Sequence, residues 1–582
     1  MDMNKIKLFW KKSAPYFITA FLTYLFLLLI AGMGAVNFNI PIDFNWDSTL
    51  FLVNAKSFFN GEWGIFDTIK NSALQAPYGL NMGAFPTADL NLILIILKIF
   101  AIFKINFITS VNIYFFLTFF LTSLISLYVL KKMGIPNKVA ICASILYSFL
   151  PYHFLREVKH LVLASYFIVP LMVLVLFYVW QKKPLFYKKV QDVWKFDLLN
   201  KKAIFTYIVL ALTALSSIYY NLFFMFFLLI VGLSAYFYHK NHRHFVSSAF
   251  AVVILLFFTF VNFLPNIIYI KNHPAEDYTQ RGFAQTEYYG LRIPQMLLPI
   301  DNHPLKPVAR LKAGYNQNAL FVNESSMASL GFALSISFVV LLFNFLFIRK
   351  SKFDSFQKLG FLTISSVLLT VSGGFLSYFA FFGLTQLRSC NRISIFIAFF
   401  ALIALCLFIK KCVKKHNNRL VNLLVVFFFI IALFDQSSPA YNFAYKQTQI
   451  KNEVYSLISL VNHIESQGNT DLKVFTLPYL DFPEGRPSGA MYDYELAKPA
   501  VFSNKIQYSY GAIKGSHIDK KYKVYSELNA KALVEALRQD GFDGILIDAK
   551  GYYPYPEELL YLSKILGTPY VSPDNVWVYY KL

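Results

Sequence analysis

Between about residues 15 and 434 the chain returns repeatedly to apolar runs of membrane-spanning length, and its Lys and Arg residues collect in the gaps between them. Nothing else in the sequence restricts the fold as strongly. A hydrocarbon core about 30 Å thick is crossed by a helix of roughly 20 mostly apolar residues, and this chain is 57% hydrophobic and only 15% charged. The expected class is a polytopic α-helical membrane protein in which a transmembrane domain, residues 1–434, is followed by a tail of ordinary soluble composition, residues 435–582.

About thirteen apolar peaks are visible. A strict zigzag through all of them puts basic loops on both sides of the membrane, against the tendency of Lys and Arg to stay inside. The conflict disappears if the weaker peaks at 90–104 and 375–387 are juxtamembrane or re-entrant helices on the outer side, which leaves about 11 transmembrane helices. With the N-terminus inside, the inner segments 1–14, 131–138, 181–202, 239–244, 349–358 and 410–419 hold 25 Lys and Arg in 70 residues. The outer segments 36–106, 151–160, 216–220, 266–328 and 373–392 hold 14 in 169. An odd number of spans places the tail outside. The net charge of +22 then describes anchoring of inner loops to anionic lipid heads, and it does not point to nucleic acid, because the basic clusters are short and no base-reading module accompanies them. The segment Pro15 to Ala35 has a basic flank and a small-residue end, but it is long for a signal peptide and leads into further spans, so it reads as an uncleaved first helix.

Several chemistries are excluded early. The four cysteines, Cys142, Cys390, Cys406 and Cys412, form no CxxC pair and leave the tail without any, so neither a disulfide framework nor a zinc site is expected. No metal or other cofactor is called for. Ionisable residues are nearly absent inside the spans, which disfavours a proton-coupled transporter.

The reactive groups concentrate outside. In the first outer loop, Trp46, Leu50, Phe51, Ala55 and Phe58 form a helical apolar stripe that predicts a helix lying on the membrane surface. Asp43 and Asp47 are spaced to share one face if the helix includes both, directly above the end of the first span. A partly shielded carboxylate near cations suits a general base, while a capping role suits it equally. Asp89 opens the juxtamembrane helix, with capping as its default role. The third span ends in PYHFLREVKHL, where Arg156 and His160 are spaced to face one way beside Lys159, and Arg388 and Arg392 repeat that spacing before the tenth span. Such pairs suit a phosphate or diphosphate, and interfacial anchoring is the alternative. The long loop 266–328 carries Asp277, Arg281, Glu287, Arg292, Asp301, His303 and Arg310, fit either to close over a substrate or to pack against the tail. In the tail, KVFTLPYL and ILIDA read as strands, KALVEALRQDGFDG as a helix and VWVYYKL as a terminal strand, an α/β or α+β domain. Its polar candidates are Asp481, Glu484, Tyr492, Asp493, Tyr494, Tyr510, Lys514 and Asp543.

An inner N-terminus, a long first outer loop with an acidic pair just past the first span, a juxtamembrane helix before the second span and an outer tail domain together resemble the GT-C superfamily of membrane glycosyltransferases. More narrowly, FNWDSTLFLVNAKSFFNGEW, QAPYGLNMGAFPTADL, PYHFLREVKHL, LRSCNRISIFIAFF, LPYLDFPEG and YGAIKGS resemble a bacterial group variously labelled YfhO-like, sugar translocase or phosphoglycerol transferase. The resemblance implies an inner-membrane enzyme that transfers a sugar, with inversion, from a polyprenyl-phosphate donor to an envelope glycan or lipid acceptor on the outer side. By position, Asp47 matches the catalytic base of the superfamily, with Asp43 in reserve. Arg156, His160, Arg388 and Arg392 match its donor phosphate ligands by location, and Asp89, Lys159, Arg281 and Arg292 are further substrate contacts. The chain lacks the Asp-Glu doublet of protein O-mannosyltransferases and the WWD-type motif of oligosaccharyltransferases. A non-catalytic translocase or assembly protein is the alternative reading. Phosphoglycerol transfer ranks lower, because the tail is short and poor in His for a sulfatase-like domain.

Overall fold

The computed structural model describes residues 3–85, 88–274, 281–320, 322–348, 353–415, 419–468, 471–552 and 557–582. Seven helices are long and apolar enough to cross a membrane: Lys12–Ile30, Phe107–Lys132, Asn137–Arg156, Leu161–Val179, Ile218–His239, Arg243–Asn272 and Cys390–Lys415. Four more helices, Lys201–Ala214, Gly331–Phe347, Ser355–Thr370 and Arg419–Asp435, have 14, 17, 16 and 17 residues, and of these Gly331–Phe347 is a shorter apolar helix. The two weak peaks are helices of another kind. Asn91–Ile102 has 12 residues and Phe375–Phe381 has 7, and at about 1.5 Å per residue neither rises across a 30 Å core.

Local signals set the helix ends. Asn106 caps the second span by accepting from the Ile108 amide, Asn200 accepts from Lys202 and Ala203, and Asp354 accepts from Gln357, each satisfying amides that lack an intrahelical partner. The spans Asn137–Arg156, Leu161–Val179 and Cys390–Lys415 are the most completely surrounded, and the first and last of these carry Arg156 and Arg392. Between helices, side-chain amides act as fasteners. Asn91 donates to Asn262 (2.6 Å), Asn262 donates to the carbonyls of Ala88 and Ala214 (2.8 and 3.0 Å), and Asn266 donates to those of Gly83 and Phe85 (2.9 and 3.2 Å). In an apolar surrounding such groups need partners, and these bonds pin Gly83, Phe85, Ala88 and Asn91 against the span Arg243–Asn272.

The first outer loop corrects one expectation. Helix Asp47–Phe59 is not left open on its polar face: ten of its 13 residues are buried, because the tail covers the face opposite its apolar stripe. Lys56 on that face is buried and donates to the main-chain carbonyls of Ala500 (2.9 Å) and Ser503 in the tail. A two-residue hairpin, β1 (Lys70–Asn71) and β2 (Leu80–Asn81), follows. A second, more exposed hairpin pairs β3 (Tyr187–Val190) with β4 (Val193–Phe196).

The tail begins with helix Phe443–Glu465 and builds a five-stranded sheet. Its strands are β5 (Leu472–Leu477), β6 (Ile506–Tyr508), β7 (Gly544–Asp548), β8 (Tyr570–Val571) and β9 (Trp577–Lys581), in the order β6-β5-β7-β9-β8. β5 runs parallel to β6 and β7, while β9 is antiparallel to β7 and β8. The amphipathic helix Ala530–Gln539 buries Leu533, Val534 and Leu537 against Phe475, Ile545 and Ile547 of the sheet. The first outer loop extends the free edge of β6: Ala76 donates to Tyr508 (2.9 Å), Tyr508 to Ala73 (2.9 Å) and Gln75 to Tyr510 (2.8 Å). The loops leaving β5 and β6 bring Phe482, Pro483, Glu484 and Ile513 over the ends of the apolar helices that face the tail.

Candidate functional site

Between the tail and the tail-side ends of the spans lies a cavity of about 640 Å³. Its membrane-side wall is apolar, with Phe51, Leu94, Ile218, Phe263 and Ile270. Its charged groups are Asp47, Asp89, Lys159, Arg281, Arg388, Arg392 and Glu484, beside His160 and Tyr494. Of the residues singled out in the sequence, the structure brings together Asp47, Asp89, Lys159, His160, Arg281, Arg388, Arg392, Glu484 and Tyr494. Asp43, Arg156 and Arg292 do not line the cavity, and Asp277 lies outside the described residues.

Asp47 is the first residue of its helix. Asp43 is not on that helix, because Trp46 takes a positive φ of 58° and breaks the chain direction, so the two carboxylates do not share a face. The Asp47 side chain is half-exposed, and its carboxyl is pushed up to about 6, first by burial among protein atoms and then by the charges of Glu484 and Asp493, against the pull of Arg392 and Lys159. His160 Nε2 stands 3.6 Å from it. Burial and the nearby Arg156 and Arg392 hold that imidazole well below its ordinary range, so the contact joins a carboxylate to a neutral ring and is not an ion pair.

Asp43 belongs to a neighbouring cluster. It accepts from Ser48 Oγ at 2.5 Å, and burial followed by the charge of Glu157 raises its carboxyl to about 6. Glu157 in turn faces Lys159 (3.6 Å) and Lys446. Asp89 makes no cap for helix Asn91–Ile102, whose N-cap is Leu90 without a side-chain bond. It faces the cavity instead, where burial raises its carboxyl to about 7 and Arg392 opposes the rise.

The basic pairs also differ from their sequence spacing. Helix Pro151–Arg156 stops where Glu157 adopts a φ of 48°, so Arg156 and His160 point to different places. Arg156 is fully buried behind the cavity: its guanidinium holds Glu324 Oε2 at 2.5 Å and Asn391 at 3.2 Å, and it stacks over Tyr152. It is a buried ion-pair partner and not a cavity ligand. Arg392 shares the same carboxylate at 3.7 Å while packing over Tyr219 at 4.1 Å, and its Nε has no hydrogen-bond partner among the described residues. One carboxylate thus serves two guanidinium groups, and both hold Glu324 well below the usual carboxylate range. Arg388 packs over Tyr289 and donates to Gln285 (2.9 Å), outside any helix shared with Arg392. The long outer loop both borders the cavity and packs on the tail: Arg281 grips Glu484 through two bonds of 2.6 Å. Arg292 precedes the short helix Ile293–Leu297, away from the cavity wall.

Glu324, which organises the two arginines, carried no local signal in the sequence, since its partners lie far along the chain. Among the described residues no group of three or more His, Cys, Asp or Glu is placed to hold a metal ion.

No family model and no curated protein matches the chain. Solved structures share its fold. Over 92% of its length it aligns with the arabinofuranosyltransferase AftD from mycobacteria, at a TM-score of 0.50 and 10% identity, covering 36% of that chain. It is also similar to the Archaeoglobus fulgidus oligosaccharyltransferase AglB in complex with an inhibitory peptide and a dolichol-phosphate, with a TM-score of 0.48, 12% identity and coverage of 98% of this chain and 75% of that one. A third similar structure is ArnT from Cupriavidus metallidurans bound to undecaprenyl phosphate, with a TM-score of 0.43, 12% identity and coverage of 100% and 98%. At such identities the likeness is one of fold, and that fold is the GT-C fold of membrane glycosyltransferases.

Proposed function

We propose that the chain is an inverting glycosyltransferase that moves a sugar from a polyprenyl-phosphate donor to an envelope glycan or lipid acceptor, in the cavity beneath the tail on the outer side of the bacterial inner membrane. The observation that carries this reading is the presence in one cavity of Asp47, with its carboxyl near 6, and Arg392, a guanidinium only half-compensated by Glu324. At neutral pH Asp47 is mostly ionised yet basic enough to accept a proton. It takes the proton of an acceptor hydroxyl as that oxygen bonds to the anomeric carbon. The bond from that carbon to the phosphate oxygen breaks on the opposite face, and the electron pair leaves with the polyprenyl phosphate. Arg392, assisted by Arg388 and Lys159, stabilises the growing phosphate charge. Neutral His160 neither competes for Asp47 as a cation nor repels the phosphate, and Arg156 positions Glu324 and through it Arg392. The apolar wall of Phe51, Leu94, Phe263 and Ile270 suits the first isoprene units.

A large outer cavity that joins a carboxylate to guanidinium groups favours transfer over a purely assembling role. The direct test is transfer from polyprenyl-phosphate sugars by the purified protein. Asp47→Asn keeps the shape and removes the base, and should lower the rate by about 10²- to 10⁴-fold. Full activity in that variant would remove Asp47 from the mechanism.

A further inference from the structure

Beside the cavity, at the seam between the first outer loop and the tail, two aromatic side chains stay open to water. Trp46 is 44% and Tyr492 41% exposed. Their rings lie 5.1 Å apart, inclined by 46°, and form a shallow angled shelf of which about two-fifths is open to solvent. Each is tied to the cavity through the chain. Trp46 immediately precedes Asp47, and Tyr492 lies two residues before Tyr494, a lining residue. Asp493 stands between Tyr492 and Tyr494 and acts on the Asp47 carboxyl through its charge. Trp46 holds its position at a φ of 58°, a region unfavourable to a bulky side chain. The ring is kept partly exposed at that cost, in contact with Tyr492 of the tail.

We infer that this shelf is a saccharide subsite: Trp46 and Tyr492 carry a pyranose ring of the acceptor, whose aliphatic C–H face lies against the electron-rich faces of the aromatic rings, while Asp493 accepts hydrogen bonds from its hydroxyls. The assignment rests on the transfer reading above and narrows it, making the acceptor a glycan rather than a simple lipid alcohol. The cationic groups Arg388, Arg392 and Lys159 line the cavity and the two rings do not. The donor phosphate and the shelf therefore occupy separate places, with Asp47 next to the shelf, as a base that deprotonates an acceptor hydroxyl requires.

The test uses the full chain in lipid nanodiscs free of sugar-headed detergent. Saturation-transfer NMR with the methyl pyranosides of glucose, galactose and mannose reads saccharide binding without any donor. Trp46→Ala and Tyr492→Leu should each abolish the saturation-transfer signal. In transfer assays they should raise the acceptor KM at least tenfold, with kcat changed less than threefold and the donor KM unchanged, and Trp46→Phe should restore most of the binding. Limited proteolysis of the tail separates a binding role from a clamping one: loss of saccharide binding with wild-type protease resistance supports the shelf, whereas loss only in variants whose tail has become protease-sensitive overturns it. Saccharide binding and acceptor KM within twofold of wild type in both variants also overturn it, and they leave the transfer reading standing if Asp47→Asn is inactive. An active Asp47→Asn together with lost binding in Trp46→Ala removes the base and keeps the shelf.

Discussion

Arg156 and Arg392 have the same side chain and share one carboxylate, yet burial gives them different work. Arg156 is sealed against Glu324, Asn391 and Tyr152, whereas Arg392 keeps an edge toward the cavity. Removing one partner of a buried ion pair leaves an uncompensated charge and costs roughly 3–5 kcal/mol, so Arg156→Ala should lower the unfolding temperature sharply. Arg392→Ala should instead raise the donor KM at least tenfold with a smaller thermal penalty, and paired melting curves and kinetics for the two variants check the split. Asp43 offers a second test. Its carboxyl is raised to about 6 by burial and by Glu157, so the folded state prefers the protonated form. That preference is fully expressed below the unfolded value near 3.9 and is lost as the pH rises through 6, a swing of up to about 3 kcal/mol. Asp43→Asn mimics the neutral form and should melt higher than the wild type at pH 7.5, with the difference vanishing near pH 4. Asp47 works with the opposite sign for activity: transfer should fall as the pH drops through about 6 and the base is protonated. The sequence carried the identity of these residues but not their partners. Glu324 lies 168 positions from Arg156, and no local spacing encodes a contact of that range.

At the scale of elements, what was legible followed from period and length, and what was hidden followed from backbone exceptions. The strand-like runs KVFTLPYL and ILIDA hold β5 and β7, and the apolar face of KALVEALRQ is that of helix Ala530–Gln539. The spacing of Asp43 from Asp47 and of Arg156 from His160 misled because each pair straddles a residue of positive φ, Trp46 and Glu157, residue types that carry no preference for that region. Helix Asp47–Phe59 misled in another way: an amphipathic stripe announces one apolar contact but says nothing about what covers the polar face. That face holds Lys56, whose burial lowers its ammonium to about 8 and which donates to the carbonyls of Ala500 and Ser503. Lys56→Ala leaves those carbonyls without a partner, at about 1–3 kcal/mol for each buried group. The expected result is a tail that proteases release at temperatures where the wild type resists, with donor KM little changed. A variant whose tail stays as resistant as the wild type would show that the sheet-edge pairing of residues 73–76 with β6 holds the tail by itself.

For the whole molecule, the distribution of Lys and Arg and the position of the cavity make one joint claim. The densely basic segments hold 25 Lys and Arg in 70 residues, while the cavity under the tail is lined by only three arginines, Arg281, Arg388 and Arg392. The positive-inside tendency predicts that β5–β9, Asp47 and the aromatic shelf lie together on the outer face. The orientation is open to measurement with membrane-impermeant maleimide on intact cells, after the four native cysteines are replaced. Ser526→Cys, at the end of tail helix His517–Ser526, should label without permeabilisation. Lys189→Cys, in the hairpin of β3 and β4, should label only after the membrane is opened. The inverse pattern would put the tail and its cavity in the cytoplasm, beyond reach of an outward-facing lipid-linked donor, and the transfer reading would fail together with the topology. Labelling of both positions on intact cells would imply an even number of crossings between them, and one of the four short helices, most directly Lys201–Ala214 with its 14 residues, would then be re-entrant.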